Sequence, residues 1–457
     1  MLRAINPATG EIVREIPTET AETIEGKLAA AEAAFSSSRR TSFAERAKLL
    51  NAVAAHMRKN VDTLAPLMTE EMGKPAKEAV GEVNKAAWCA EHYAEHAEAY
   101  LARQVIASDA SLSYVQHLPL GPVLGILPWN APFWLAFRFS APALMAGNTC
   151  LMKHDPHVPG CAAAIANVFR AVGAPDGLFD ALMLETPAVE PVIRDRRVRA
   201  VSFTGSSRGG SAVASIAASE IKPAVLELGG SDPSIVLAGA DLDAAASVLK
   251  TSRIINAGQS CIAAKRLIVE DSAYEPFLEK LSSELQALRL GDPAEMETDV
   301  GPIARADLRE ELHRQVTETV KQGANLAFGG EMPAGPGYFY PVTLLTGVEP
   351  GMCAFAEETF GPVAVVIRAR DAEHALAMAN DTEYGLAASI WTGDPDGAEA
   401  MAREIEAGQV AINGIVKTDP RLPSGGIKRS GYGRELGPHG IHEFVNAQQV
   451  WMGPAKG

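Results

Sequence analysis

Cysteine is scarce in this chain. Five residues, Cys89, Cys150, Cys161, Cys261 and Cys353, are spread over 457 positions. Their odd number and wide spacing argue against a disulfide scaffold, and no Cys-x-x-Cys pair offers a metal site, so a reducing cytoplasm is the expected compartment. Long apolar runs are missing too. No stretch reaches the roughly 18–20 residues a membrane-spanning helix needs, and the opening Met1-Leu2-Arg3-Ala4-Ile5-Asn6-Pro7 holds no apolar signal region. Positive charge is in deficit: 41 Lys and Arg stand against 56 Asp and Glu, a net of -15. That balance argues against nucleic acid or an anionic membrane as partner. Internal repeats and low-complexity tracts are absent.

What is present suits a soluble globular protein, with 47% hydrophobic and 21% charged residues. The length predicts two or three domains. Asn6 to Gly10 reads as a turn between two short extended segments. Three helices are expected before Gly73-Lys74-Pro75, with Thr20 and Ser42 as caps of the first two. A long Ala/Glu-rich helix follows, from about Ala76 to Arg103. Within it His92 and His96 are spaced as metal ligands can be, but no third ligand is in view, and a solvated helix face is the reading adopted. From Pro122 the pattern changes to short apolar strands alternating with helices, and a second such series begins near Gly230. Alternating βα units predict an α/β fold with two doubly wound Rossmann-type domains, whose ligands collect at the C-terminal strand ends. Ser111 to His117 reads as a strand outside that pattern, and Ile441 to Trp451 as extended.

Candidate chemistry falls at the strand ends. Cys261 follows the small polar run Asn256 to Ser260. It is either a thiol presented to a pocket, its thiolate favoured by nearby amides, or a buried structural cysteine. Phe203-Thr204-Gly205-Ser206 ends a strand and opens a helix, as a phosphate-binding turn does, though its spacing is not Gly-x-Gly-x-x-Gly. Glu227 closes an apolar strand before Gly229-Gly230. A carboxylate there is either a structural partner or a tuned general base. Asn130 is placed either to donate to an oxyanion or to cap a turn. Lys153 is either an anion or ribose contact or a plain strand-end charge.

Together these residues resemble the NAD(P)-dependent aldehyde dehydrogenase superfamily. The resemblance is carried by Asn6-Pro7-Ala8-Thr9-Gly10, Pro128-Trp129-Asn130, Phe203 to Ser206, Leu226-Glu227-Leu228-Gly229-Gly230, Asn256 to Cys261, Glu358-Thr359-Phe360-Gly361-Pro362 and Pro423-Ser424-Gly425-Gly426. It runs to about Trp451. Within the superfamily, the stretches around Lys153, Glu227 and Cys261 resemble a bacterial subgroup acting on succinate semialdehyde. The resemblance implies Cys261 as nucleophile, Asn130 with the Cys261 amide as oxyanion hole, and Glu227 as general base. It also implies cofactor contacts from Trp129, Lys153, Gly205, Ser206, Glu358 and Phe360, with NAD or NADP as the cofactor and no metal. Acylating relatives typically lack the base, so Glu227 points to hydrolysis of the thioester. By the same resemblance, residues 1–106 and 122–229 form the cofactor-binding domain and 230–429 the catalytic domain. Residues 107–121 and 430–457 form an arm exchanged between subunits of a homodimer or homotetramer.

Two positions depart from the family pattern. Pro156 stands where NAD users often carry the Glu that would repel a 2′-phosphate, so NADP is admitted beside NAD. Ala131 replaces an aromatic after Asn130, widening one side of the substrate tunnel. Trp134 and Arg138 are spaced i, i+4 just beyond, and with Ser260 they are the expected substrate contacts. Arg138 is either a bidentate holder of a substrate carboxylate or a surface or interface ion-pair partner. Lys417, Thr418 and Arg421 lie in the loop that usually closes the tunnel mouth. Two other classes stay open: a thiol hydrolase or acyltransferase without a nucleotide, and a silent binding protein on the same fold. The cofactor residues discriminate against the first, and intact Cys261, Glu227 and Asn130 against the second.

Overall fold

The computed structural model describes residues 1–454. A hairpin of Leu2–Ile5 and Ile12–Ile16 leads into four helices, Ala21–Ser38, Phe43–Lys59, Val61–Met72 and Ala76–Tyr100. Local sequence sets their ends. The Ser42 hydroxyl accepts the Glu45 N–H while the Glu45 side chain accepts the Ser42 N–H, a reciprocal capping box. Gly73 closes the third helix in the left-handed region, with φ of 77°.

Two sheets follow. The first runs in the order 431–432, 224–227, 200–204, 122–127, 149–154, 179–181. All its strands are parallel except Gly431–Tyr432, which pairs antiparallel with Leu226 and Glu227. Pro122–Leu127 is buried along its whole length and reads as a continuous apolar run, as a central parallel strand must. The chain leaves it in both directions across the sheet, so a topological switch point lies between Pro122–Leu127 and Ala200–Thr204. Crevices at such points hold ligands in doubly wound folds. Gly125 sets the depth of the helix above: a Cβ there would collide with the Phe139 ring, so only glycine lets Pro132–Ala146 pack this close.

The second sheet has the order 325–328, 343–346, 363–369, 266–270, 233–236, 387–391, 409–412, antiparallel only at its first pair. A third sheet joins Val445–Met452, Leu112–Pro119 and Gln104–Val105. Two of the strands do not follow the bounds expected for an arm at 107–121 and 430–457. Gln104–Val105 pairs within the arm, whereas Gly431–Tyr432 belongs to the first sheet. Positions 455–457 of the arm lie outside the described residues.

Two expectations are corrected. The segment beginning at Ile441 is not extended throughout: Gly437–His442 is helical and the strand starts at Val445. His92 does not sit on a solvated face. It is buried, its Nε2 lies 3.1 Å from the Tyr100 hydroxyl, and its ring packs against His96 and Tyr93. The helix Ala76–Tyr100 packs on several neighbours, which an Ala/Glu-rich composition does not reveal. Among the described residues no group of His, Cys, Asp or Glu could hold a metal ion, and no helix is long and apolar enough to cross a membrane.

Candidate active site

Cys261 stands five residues before the strand Arg266–Glu270 of the second sheet, and the carbonyl of Gln259 beside it accepts from Asn130, just past the carboxyl end of Pro122–Leu127 in the first. The turn that presents it is unusual. Asn256, Ala257 and Gly258 follow one another at φ of 54°, 53° and 75°. Asn and Gly tolerate that left-handed conformation, but Ala257 is held there against its preference. Surrounding contacts over-determine the shape. Asn256 Nδ2 donates to the carbonyls of Asn130 and Gln259, at 3.0 and 3.1 Å. Gln259 Nε2 donates to the Asn256 carbonyl at 3.0 Å, and its Oε1 accepts the Ala304 N–H at 2.9 Å. The Asn256 N–H donates to Glu78 at 2.7 Å. Arg253, fully buried, reaches the carbonyls of Gly258 at 2.8 Å and Gly361 at 2.7 Å. It thereby clamps the nucleophile turn to the Glu358–Gly361 segment.

Cys261 is the one cysteine of five that is half-buried, the others being fully so, and its thiol is the part turned inward. Its thiol is nevertheless not the favoured thiolate that the neighbouring amides suggest. Burial of the group pushes its pKa up to about 11, opposed by Lys265 and Arg138. At neutral pH the resting group is a thiol, and the nearest means of deprotonating it is a base. Lys265 Nζ donates to the Cys261 carbonyl at 2.5 Å and pairs with Glu358 at 3.1 Å.

Glu227 is the last residue of its strand and is buried. Its Oε2 accepts from Arg138 Nη2 at 3.0 Å, while Oε1 is buried without a partner. Burial raises its pKa, more than Arg138 lowers it, which is the state a general base needs near neutral pH. Arg138 also pairs with Glu435 at 2.5 Å. Burial works against the guanidinium charge, but Glu435 and Glu227 outweigh it and hold Arg138 protonated. The surface or interface ion pair considered for Arg138 is thus replaced by a buried one at the base. Its Nη2 serves both carboxylates and its Nε has no partner.

Asn130 follows the strand Pro122–Leu127 by three residues. One of its amide N–H groups is fixed on the Gln259 carbonyl at 3.1 Å, which leaves the second free to donate. Its own carbonyl accepts from Lys74 Nζ at 2.8 Å. Lys74 in turn pairs with Glu82, and Glu82 Oε1 accepts the N–H groups of Phe133 and Trp134 that open the next helix. Trp134 is buried in that helix, and Ser260 is half-buried beside Cys261.

The cofactor candidates lie on the same side. Lys153 is buried near its strand end without a carboxylate in ion-pair contact among the described residues, and burial lowers its pKa against the pull of Asp155. Asp155 is turned to His157, accepting its N–H at 3.0 Å and lying 2.7 Å from its Nδ1. The Gly205 N–H donates to the Glu227 carbonyl at 3.0 Å, and Ser206 caps the helix Ser207–Ser219 by accepting the Gly209 N–H. Thr204 Oγ1 beside them is buried and unpartnered. Glu358 accepts the Gly230 N–H at 3.2 Å, and a Cβ on Gly229 would collide with its carboxylate. Trp129 and Phe360 meet edge to face at 6.0 Å. A helix N-terminus, a lone buried lysine and a carboxylate laid on glycine backbone fit the phosphates and ribose hydroxyls of a nicotinamide dinucleotide.

Several contributors escaped the sequence reading. Lys265 and Arg253 lie within the motif around Cys261, and their charge inside a largely apolar stretch was the available signal. Glu435, Glu82, Lys74 and Glu78 come from distant segments and carry no local signal.

The model of the aldehyde dehydrogenase family matches residues 1–450. A probable succinate-semialdehyde dehydrogenase (NADP+) of Synechocystis is 47% identical over 99% of both chains. A succinate semialdehyde dehydrogenase (NAD(P)+) of Escherichia coli is 45% identical over 98% of this chain and 97% of its own. Among solved structures, the succinic semialdehyde dehydrogenase of Streptococcus pyogenes in complex with NADP+ superposes with a TM-score of 0.97. It is 35% identical, covering 99% of this chain and all of its own.

Proposed function

The chain belongs to the aldehyde dehydrogenase family, and from that premise we propose that its aldehyde is succinate semialdehyde, oxidised to succinate with NAD or NADP. When bound, the dinucleotide supplies the two-electron oxidant. Trp129, Lys153, Gly205, Ser206, Glu358 and Phe360 hold it in this reading.

The chain's own residues do the rest. Glu227 takes the proton of the Cys261 thiol, and the sulfur adds to the aldehyde carbon. The free N–H of Asn130 and the Cys261 amide receive the resulting oxyanion. After oxidation Cys261 carries a thioester. Glu227 gives up the thiol's proton to solvent and then deprotonates a water, whose attack expels the thiolate and releases the acid; the proton now on Glu227 returns to Cys261. Arg138 orients Glu227 and favours its ionised form, partly offsetting the rise in pKa that burial causes.

Arg138 carries the substrate reading. A buried guanidinium beside the nucleophile, with Nε unpartnered, can take the far carboxylate of a short semialdehyde while Nη2 stays on the base. The names of the relatives point the same way. The test is turnover of succinate semialdehyde against butanal, followed by nicotinamide absorbance with each cofactor. A clear preference in kcat/KM for the acid-bearing aldehyde is expected, and none would overturn the substrate.

Three further proposals complete the reading. Residues 1–106 and 122–229 form the cofactor domain and 230–429 the catalytic domain. The arm sheet joins two subunits, since Val105, Ile106, Trp451 and Met452 on it are exposed apolar side chains. The compartment is the cytoplasm, in keeping with five free thiols.

A further inference from the structure

Because the guanidinium of Arg138 is shared with the base, a semialdehyde carboxylate gains from a second cation that the chemistry at Cys261 does not use. Arg138 is shared with Glu227 and Glu435, Lys74 is paired with Glu82, and Lys265 with Glu358. Lys85 is different. It lies on the helix Ala76–Tyr100, half-buried, and has no carboxylate in ion-pair contact among the described residues. Its Nζ sits over the Trp134 ring, 4.3 Å from the centroid, and donates to Thr418 Oγ1 at 2.9 Å. One turn along the same helix, Trp88 lies under the guanidinium of Arg421 at 5.4 Å. The loop residues 417–421 therefore close onto the helix at Lys85, beside the face of Pro132–Ala146 that carries Trp134 and Arg138. The carboxylates nearest Lys85 are committed elsewhere: Glu82 to Lys74, and Asp419 to Arg421 at 2.6 Å.

We infer that Lys85 is a specificity-determining residue that binds the substrate carboxylate together with Arg138, against the wall formed by Trp134 and under the hydroxyl of Thr418. The inference rests on the proposed succinate semialdehyde reading. An ammonium has three donors, and Thr418 uses one of them. A carboxylate arriving between Lys85 and Arg138 offsets the repulsion between the two cations, whereas an uncharged aldehyde leaves it in place. The environment agrees. Burial, then Arg138, brings the Lys85 pKa down to about 8, while Glu82, Cys89 and Asp419 pull it up. The cation is present below pH 8 and is lost as pH rises through that value. A bound carboxylate stabilises it, so binding above pH 8 takes up a proton.

The test compares wild type with Lys85→Met, Lys85→Arg and Thr418→Val on succinate semialdehyde and butanal. Wild type must first prefer succinate semialdehyde. No preference removes the substrate reading itself and is recognisable without any variant. Given that preference, Lys85→Met is expected to lower the ratio of kcat/KM for the two aldehydes about tenfold to a hundredfold, mainly through KM, as loss of a charge-assisted hydrogen bond does. Lys85→Arg should restore most of it. Calorimetry of succinate binding at pH 8.5, in buffers of different ionisation heat, should show proton uptake in wild type and less in Lys85→Met. An unchanged ratio, equal losses on both aldehydes, or a Thr418→Val variant as impaired as Lys85→Met would overturn the inference. The last two outcomes would make Lys85 a tether for the loop.

Discussion

In the proposed reaction, Cys261 and Glu227 divide the chemistry between a thiol that burial keeps protonated and a carboxylate that burial makes more basic. Each result follows from the same cost of placing charge in a low-dielectric site. Replacing Cys261 by Ala should lower turnover by at least about a thousandfold while the dinucleotide still binds, because the covalent step has no substitute. Stopped-flow absorbance and cofactor titration check the two halves of that statement. With Glu227→Gln, thioester hydrolysis should become limiting, slowed by about a hundredfold to ten-thousandfold. If the thiol still adds, one equivalent of reduced nicotinamide should appear per site before a slow steady state. The pH dependence has a definite sign. The base form of Glu227 is lost as pH falls through its pKa, which lies above that of an ordinary carboxyl, so kcat should decline on a limb shifted toward neutrality. Arg138 opposes that shift. Arg138→Met should move the limb to still higher pH, and a limb left in place would show that the pair does not set the base.

The turn Asn256–Gly258 is the element on which the site depends. Three successive left-handed residues cost energy that only the surrounding contacts offset. Gly258 meets two demands at once: its φ is 75°, and a Cβ there would collide with the Gly361 carbonyl. Gly258→Ala should therefore destabilise the protein by about 1–3 kcal/mol or more and displace Cys261. Chemical denaturation, with single-turnover kinetics on the folded fraction, measures both effects. Arg253 joins the same turn to the Glu358 segment by carbonyl contacts alone. Much of this element was legible. Glu227, Asn130 and the helix-opening Gly205-Ser206 stand at or just past the ends of their strands, as their motifs suggested, whereas Cys261 stands on a turn that precedes a strand. The clamp made by Arg253 was not legible, because two of its three carbonyl partners lie 106 and 108 residues away.

At the scale of the molecule, contacts of Asn130 with Asn256 and Gln259 join the proposed nucleophile turn to the first sheet, and a third sheet is separate from the other two and has apolar side chains exposed. If that sheet joins subunits, Trp451→Asp with Met452→Asp should dissociate the assembly, seen as a lower mass by sedimentation. An unchanged mass would remove the arm from the interface. Cofactor preference is measurable on the intact protein as well. A dinucleotide at a hundred times its Kd should stabilise the fold by about 2.7 kcal/mol. Thermal shifts with NAD and NADP at equal concentration then rank the two. With Pro156 in place of a repelling carboxylate and Asp155 turned to His157, NADP should stabilise at least as well as NAD.

By itself the sequence determined the α/β alternation, the strand ends and the residue types of the chemistry. These are local matters: a two-residue or 3.6-residue period, a glycine beside a strand, a thiol in a small polar run. Only the tertiary structure decided the charge state of Cys261, the pairing of Arg138 with Glu227 and Glu435, the burial of His92 and the position of Lys85 over Trp134. Those depend on which groups meet across gaps of up to 333 residues and on how much water folding removes from them. Neither is written in any short stretch of chain.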